Sequence, residues 1–259
     1  MIFVMAGTQD GRELVKMLLE QGYDVMASVV SHYGQQLLEK AHKGRLTVNS
    51  EPLDAEMLQA CFRTQGIKAC VDASHPYAVA ASANAMKACH EAGVPYIRYE
   101  RNLTRLDYQG TVVVHNYEEA AAKAASLGNR IFLTTGSRNL QKFVEAACLQ
   151  GKTLIARVLP TAEVIAQCEA LGFTPDRLVA LQGPFSKELN KELFLRYQAE
   201  VIVTKNSGTM GGTDTKLQAA AELGLPLVVI DRPPMEYDCL CDTFDGGERK
   251  LQELIREVK

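Results

Sequence analysis

Met1-Ile-Phe-Val-Met-Ala-Gly7-Thr-Gln-Asp-Gly11-Arg12-Glu-Leu14 is the stretch that decides the fold class. An apolar run leads into Gly7. A hydroxyl, an amide, an acid, a second glycine and an arginine follow, and then Leu14, Met17 and Leu18 recur at helical period. This reads as a strand, a tight turn and a helix, the layout that holds a phosphate in many α/β proteins. The spacing is G-x-x-x-G, with Gln9 and Arg12 where the common G-x-G-x-x-G fingerprint carries glycines. Taken alone, the segment fits a structural turn as well as a nucleotide site.

The same alternation runs through the chain. Apolar runs at Ile2–Ala6, Asp24–Val30, Leu46–Val48, Ala69–Asp72 and Pro95–Tyr99 are separated by helical patterns. Asp54 is placed as an N-cap, with Leu53 and Leu58 as its hydrophobic staple. Pro76 is placed in the first turn of an alanine-rich helix, Tyr77 to Ala92. A polar stretch from Glu100 to Gly110 follows, and six further strands are expected at Thr111–Val114, Arg130–Thr134, Thr153–Arg157, Leu178–Leu181, Val201–Thr204 and Leu227–Ile230. Leu140, Phe143, Val144 and Ala147 mark one helical face between them. A single open sheet rarely exceeds ~10 strands. We therefore expect an α/β protein with two Rossmann-like domains, mainly parallel sheets and an inter-domain crevice. The expected domains are residues 1–103 and 104–259, with Thr243–Lys259 as a closing amphipathic helix carrying Leu251, Leu254 and Ile255.

The 259 residues can bury a sizeable core; 47% are apolar and 23% charged, an ordinary globular composition. A net charge of −3 without a basic run argues against a nucleic-acid partner. No 18-residue apolar run and no basic-flanked leader occur, so no membrane span and a cytoplasmic location are expected. The seven cysteines are odd in number and mostly scattered, which speaks against a disulfide framework. Cys239 and Cys241 are the one close pair, and no histidine follows to complete a metal site, so no metal is expected.

Ligands of open α/β sheets bind beyond the carboxyl ends of the strands, and here those ends are unusual. Gly7, Thr8 and Gly11 offer backbone amides and a hydroxyl for a pyrophosphate, with Arg12 beside them. The second strand runs into Ser31, His32, Tyr33 and Gly34 without the acid that NAD-selective sites place there, which leans towards NADP. The fourth ends in Asp72-Ala-Ser74-His75-Pro-Tyr77-Ala, with His75 exposed at the mouth of the crevice. Arg98 and Arg101 flank the expected crevice, either as a solvated linker or as clamps for an anion. Three further loops each follow a strand: Thr134-Thr-Gly136-Ser137-Arg138-Asn, Gln182-Gly-Pro-Phe-Ser186, and Thr204-Lys205-Asn206-Ser207-Gly208-Thr-Met-Gly-Gly212. Their glycines, hydroxyls, amides and cations imply a ligand with several negative groups.

Seven blocks in fixed order, GTQDGR, DASHPYA, YIRYER, TTGSRNL, ARVLP, QGPFSKELN and TKNSGTMGG, closely resemble the precorrin-6A reductase family of cobalamin biosynthesis, which includes the cobalt-precorrin-6A reductases. The resemblance covers residues 1 to about 233. It implies two Rossmann-like domains, a reduced nicotinamide nucleotide (NADPH or NADH), and hydride transfer that turns precorrin-6A into precorrin-6B. The implied substrate is a polycarboxylate macrocycle, which matches a distributed set of donors: Arg98 and Arg101 flanking the expected crevice, and Gly136, Ser137, Arg138, Ser186, Lys205, Asn206, Ser207 and Gly208 in the second domain. The cofactor set is then Gly7, Thr8, Gly11, Arg12, Ser31, Tyr33, Ser74 and His75. A proton must follow the hydride, and His75, Tyr77, Lys205 or water could deliver it. A monomer or small homo-oligomer is expected. Two other readings are a short-chain-type oxidoreductase, which lacks its Tyr-x-x-x-Lys pair here, and a two-lobed binding protein for an anion.

Overall fold

The computed structural model describes residues 1–29, 32–41, 44–100, 103–208 and 211–257; the side chains of residues 32, 33, 40, 41 and 255–257 are outside the description. The chain divides into two compact units, Met1–Asn102 with Pro233–Lys259, and Leu103–Arg232.

In the first unit the strands are β1 (Ile2–Met5), β2 (Val25–Ser28), β3 (Leu46–Asn49), β4 (Ala69–Asp72) and β5 (Tyr96–Tyr99). They alternate with helices α1 (Gln9–Glu20), α2 (His32–Ala41), α3 (Ala55–Thr64) and α4 (Val79–Ala92). Every pairing is parallel. A parallel sheet is buried on both faces, which explains the unbroken apolar run at the N-terminus. Ile2, Val4 and Ala6 pack with Leu14, Val15 and Leu18 of α1 on one face. Phe3, with Met1 and Met5 beside it, packs with Leu58 and Phe62 of α3 and with Ala85 and Ala88 of α4 on the other. Each fully buried leucine or valine of α1 contributes about 1.5–3 kcal/mol. Asp54 accepts the amide of Met57 at 2.8 Å as the α3 N-cap, and Leu53 and Leu58 join one cluster as the staple requires.

The second unit contains β6 (Thr111–Val114), α5 (Tyr117–Leu127), β7 (Arg130–Leu133), α6 (Leu140–Val144), β8 (Thr153–Val158), α7 (Ala162–Ala170), β9 (Leu178–Ala180), α8 (Lys187–Arg196), β10 (Val201–Lys205), α9 (Thr213–Leu223) and β11 (Leu227–Ile230). All its pairings are parallel as well. Phe132, Ile155, Ile202 and Val229 pack with Phe194 of α8 and with Ala219 and Ala220 of α9.

The tail differs from expectation. Residues 233–259, assigned by sequence to the second domain, belong to the first unit. There β12 (Leu240–Cys241) pairs in parallel with β5, Leu240 opposite Arg98 and Cys241 opposite Tyr99. Then α10 (Phe244–Glu257) returns Leu251 to the core beside Ile97 and Tyr99, and Phe244 stacks on Tyr99 with ring centroids 4.9 Å apart. The five strands expected in the first domain are thereby six. Two smaller corrections concern helices. Pro76 lies in a turn closed by the Ala78 amide on the His75 carbonyl at 2.7 Å, so α4 begins only at Val79. And α6 ends at Val144, leaving Ala147 to a separate 3-10 turn.

The strand orders are β12-β5-β4-β1-β2-β3 and β6-β11-β10-β7-β8-β9. In each sheet the chain builds outward to one side and then crosses back. That puts the reversal between β1 and β4 in the first unit and between β7 and β10 in the second, where open α/β sheets take their ligands.

Candidate functional sites at two topological switch points

At the first switch point the turn after β1 meets the turn after β4. Thr8 caps α1: its Oγ1 accepts the Gly11 amide at 3.0 Å and donates to the Ala73 carbonyl at 2.8 Å. The hydroxyl proton expected to reach a pyrophosphate is thus committed to the fold. Gly11 permits a close approach, but of helix to strand: a Cβ there would lie 2.7 Å from the Ala6 Cα. Gly7 is exposed, and a Cβ on it would meet nothing within 4 Å. The open space over Gly7, at the N-terminus of α1, fits a phosphate group. Half-buried Arg12 sends its amide to the Thr8 carbonyl at 3.2 Å. Ser31 lies outside the described residues, and Tyr33 is described only as backbone within α2.

Below the second turn lies a polar cluster that the sequence reading did not assemble. Asp72, fully buried, faces Arg98, also fully buried, at 2.9 Å. Its other oxygen accepts from Ser82 at 2.6 Å and Tyr96 at 2.7 Å, while Oδ1 also takes the Ser74 amide at 2.9 Å. Arg98 donates to Glu100 at 3.0 Å and to the Ser74 hydroxyl at 3.1 Å, and lies over the Tyr237 ring at 5.4 Å. Burial alone would raise the Asp72 carboxyl, but the Arg98 charge and three hydrogen bonds outweigh it and hold the group below the ordinary carboxylate value. Burial and the Asp72 charge push the Tyr96 phenol far up, so it serves only as a donor. Arg98, expected as an anion clamp, is therefore a buried support for the turn that carries Ser74 and His75. Arg101 lies outside the described residues. His75 Nδ1 accepts the Tyr77 amide at 3.3 Å, and the two rings stand 5.4 Å apart. A neutral ring accepting at Nδ1 carries its proton at Nε2.

The second switch point joins the turn after β7 to the turn after β10. Gly136 takes a left-handed φ of 79°, Ser137 is half-buried and Arg138 is exposed. Across from them, burial and the nearby Arg138 charge lower the Lys205 ammonium to about 8. Three expected donors are engaged in holding the loop in place. Asn206 exchanges hydrogen bonds with the Thr104 backbone at 3.3 and 3.4 Å. The Ser207 amide binds Thr213 Oγ1 at 3.1 Å. Gly208 supplies a buried left-handed turn, φ 74°. Exposed Ser186 caps α8 through the Leu189 amide at 3.1 Å. Missed by sequence were Arg157 and Lys216, both buried. A signal existed for Lys216: it shares helical spacing with buried Thr213, Ala219 and Ala220. Among the described residues no group of three or more His, Cys, Asp or Glu is placed to hold a metal, and no helix is long and apolar enough to cross a membrane.

The family model described as precorrin-6x reductase CbiJ/CobK matches residues 1–253. This chain belongs to the CbiJ/CobK family. A relative of that family, cobalt-precorrin-6A reductase of Priestia megaterium, is 42% identical over the whole of both chains. The cobalt-precorrin-6A reductase of Methanocaldococcus jannaschii is 36% identical, covering 94% of this chain and 95% of its own. The solved structure of CobK precorrin-6A reductase superposes with a TM-score of 0.78 at 26% identity, over 98% of this chain and 96% of that one. CbiJ/CobK membership thus extends across both units and through β12.

Proposed function

We propose that this protein reduces one ring double bond of cobalt-precorrin-6A, giving cobalt-precorrin-6B, with NADPH as reductant. The observation that carries the reading is identity over nearly the whole length with cobalt-precorrin-6A reductases, at 42% and 36%, against 29% and 30% for two precorrin-6A reductases. That ranking favours the cobalt-bearing macrocycle over the metal-free one. The lack of an acid after β2 favours NADPH over NADH, because a carboxylate there would repel a 2′-phosphate.

The nucleotide is assigned to the first switch point, where Gly7 and the first turn of α1 hold the pyrophosphate. The nicotinamide supplies the hydride when bound. Ser74 and His75 stand on a turn made rigid by Asp72 and Arg98, and a fixed turn keeps the binding geometry from being lost to motion. The macrocycle's carboxylates are assigned to the second switch point, to Ser137, Arg138 and Lys205. Lys205, poised near neutral pH, is the proton donor to the carbon next to the one reduced.

The test is anaerobic incubation of cobalt-precorrin-6A, or metal-free precorrin-6A, with NADPH or NADH, following the macrocycle's absorbance. Conversion fastest with the cobalt form and NADPH is expected. An unchanged spectrum in all four combinations, with folded protein, would reject the reading.

A further inference from the structure

Two cations are buried in the second unit without a counter-ion. Arg157, at the carboxyl end of β8, is 9% exposed, and Lys216, in α9, is 6% exposed. Each is held by a neutral partner. Arg157 Nη1 donates to Asn190 Oδ1 at 2.7 Å, and Lys216 Nζ donates to the Gly211 carbonyl at 3.1 Å. Asn190, 1% exposed, is itself fixed through its amide to the Ser186 carbonyl at 2.9 Å and Thr215 Oγ1 at 3.3 Å. The Phe185 ring covers the guanidinium at 4.5 Å. Neither cation has an ion pair among the described residues.

Buried charges are normally paired, because desolvation without a counter-ion is costly. Here burial and the neighbouring Arg157 charge both disfavour the charged form of Lys216. A guanidinium has five donors and an ammonium three, so both keep donors to spare. One more polar atom stands at the same edge: Thr135 Oγ1, two residues past β7, is buried and has no hydrogen-bond partner among the described residues. Its strand lies between β10, which carries Lys205, and β8, which carries Arg157. A negative group is the chemical complement of this edge.

We propose that Arg157 and Lys216 form an anion subsite in the second unit that takes one carboxylate or phosphate of a bound ligand. Only the ligand's identity rests on the reductase reading. The charged groups facing Lys216 are Arg157 from β8 and Lys205 from β10, which disfavour its protonation as burial does, and Asp214 from its own helix, which favours it. Together they lower the ammonium to about 7. An anion reverses the balance, so Lys216 gains a proton as the ligand binds.

The test is calorimetric titration at about pH 8, where a group of pKa near 7 is mostly neutral when free. Buffers of different ionisation enthalpy count the protons taken up. Precorrin-6A and NADP+ are titrated separately into the wild type, K216M and K216R, with thermal melts as the folding control. Proton uptake with one ligand is expected, and that ligand names the source, carboxylate or phosphate. K216M should lose the uptake and bind that ligand at least tenfold more weakly. K216R, with a fixed charge, should keep affinity without uptake. No uptake with either ligand, or K216M behaving as wild type, would overturn the subsite. Turnover by the wild type is measured separately, so loss of the reductase reading would not be mistaken for loss of the subsite.

Discussion

Asp72 and Arg98 meet at 2.9 Å with neither side chain exposed to solvent. The pair fastens β4 to β5 directly beneath the turn that presents Ser74 and His75. Removing one member of such a pair leaves the other charge buried alone, at a cost on the order of 3–5 kcal/mol. R98M and D72N should each lower the free energy of unfolding in urea by that amount. Unchanged stability with lost ligand binding would instead restore Arg98 as an anion clamp. The pH dependence follows from the depressed Asp72 carboxyl. Its contribution is complete above the unfolded value of about 3.9 and disappears as pH falls through the lower folded value.

Gly7 and Gly11 should separate binding from folding. G7A places a methyl in open space, so the melting temperature should hold while NADPH affinity falls. G11A forces a Cβ to 2.7 Å from the Ala6 Cα and should destabilise the first unit, by about 1–3 kcal/mol as overpacking does. Melting curves with a nucleotide titration read both. Equal NADPH affinity in G7A and wild type would move the pyrophosphate elsewhere.

Lys205 as proton donor must be protonated to act. The profile of kcat/KM should therefore fall as pH rises through about 8, the value set by burial and the Arg138 charge. K205M should lose about 10²–10⁴ in kcat. A raised KM with unchanged kcat would make Lys205 a carboxylate anchor only, and His75→Ala would become the next variant to assay.

The tail can be tested by truncation after Arg232. That change removes β12, the Phe244 stack on Tyr99 and Leu251 from the first core. Hydrogen exchange should show lost protection in β1, β4 and β5, with β7, β10 and β11 retained. Uniform protection in both units would contradict the pairing of β12 with β5.

Each of the eleven longer strands announces itself because a parallel strand buried on both faces needs an apolar run, and such runs stand out between helical patterns. The switch-point turns were legible for a similar reason: glycines, hydroxyls and Pro76 have few uses other than shaping turns. Arg98 was not. It sits in a strand next to a polar linker, and nothing local reveals that Asp72, on the neighbouring strand, neutralises it. Arg157 and Lys216 escaped likewise, since a cation near a strand end or in a helix normally reaches water.

By itself the sequence determined the α/β class, the strand and helix order as far as Ile230, and the glycine- and hydroxyl-rich turns at the strand ends. These depend on periodicity and on backbone preferences that act within a few residues. Tertiary structure alone decided that the tail returns to the first sheet, that Thr8 spends its proton on Ala73, and which charges are buried together. A two-residue strand carries no period, and a charge declares its role only once distant strands have closed around it.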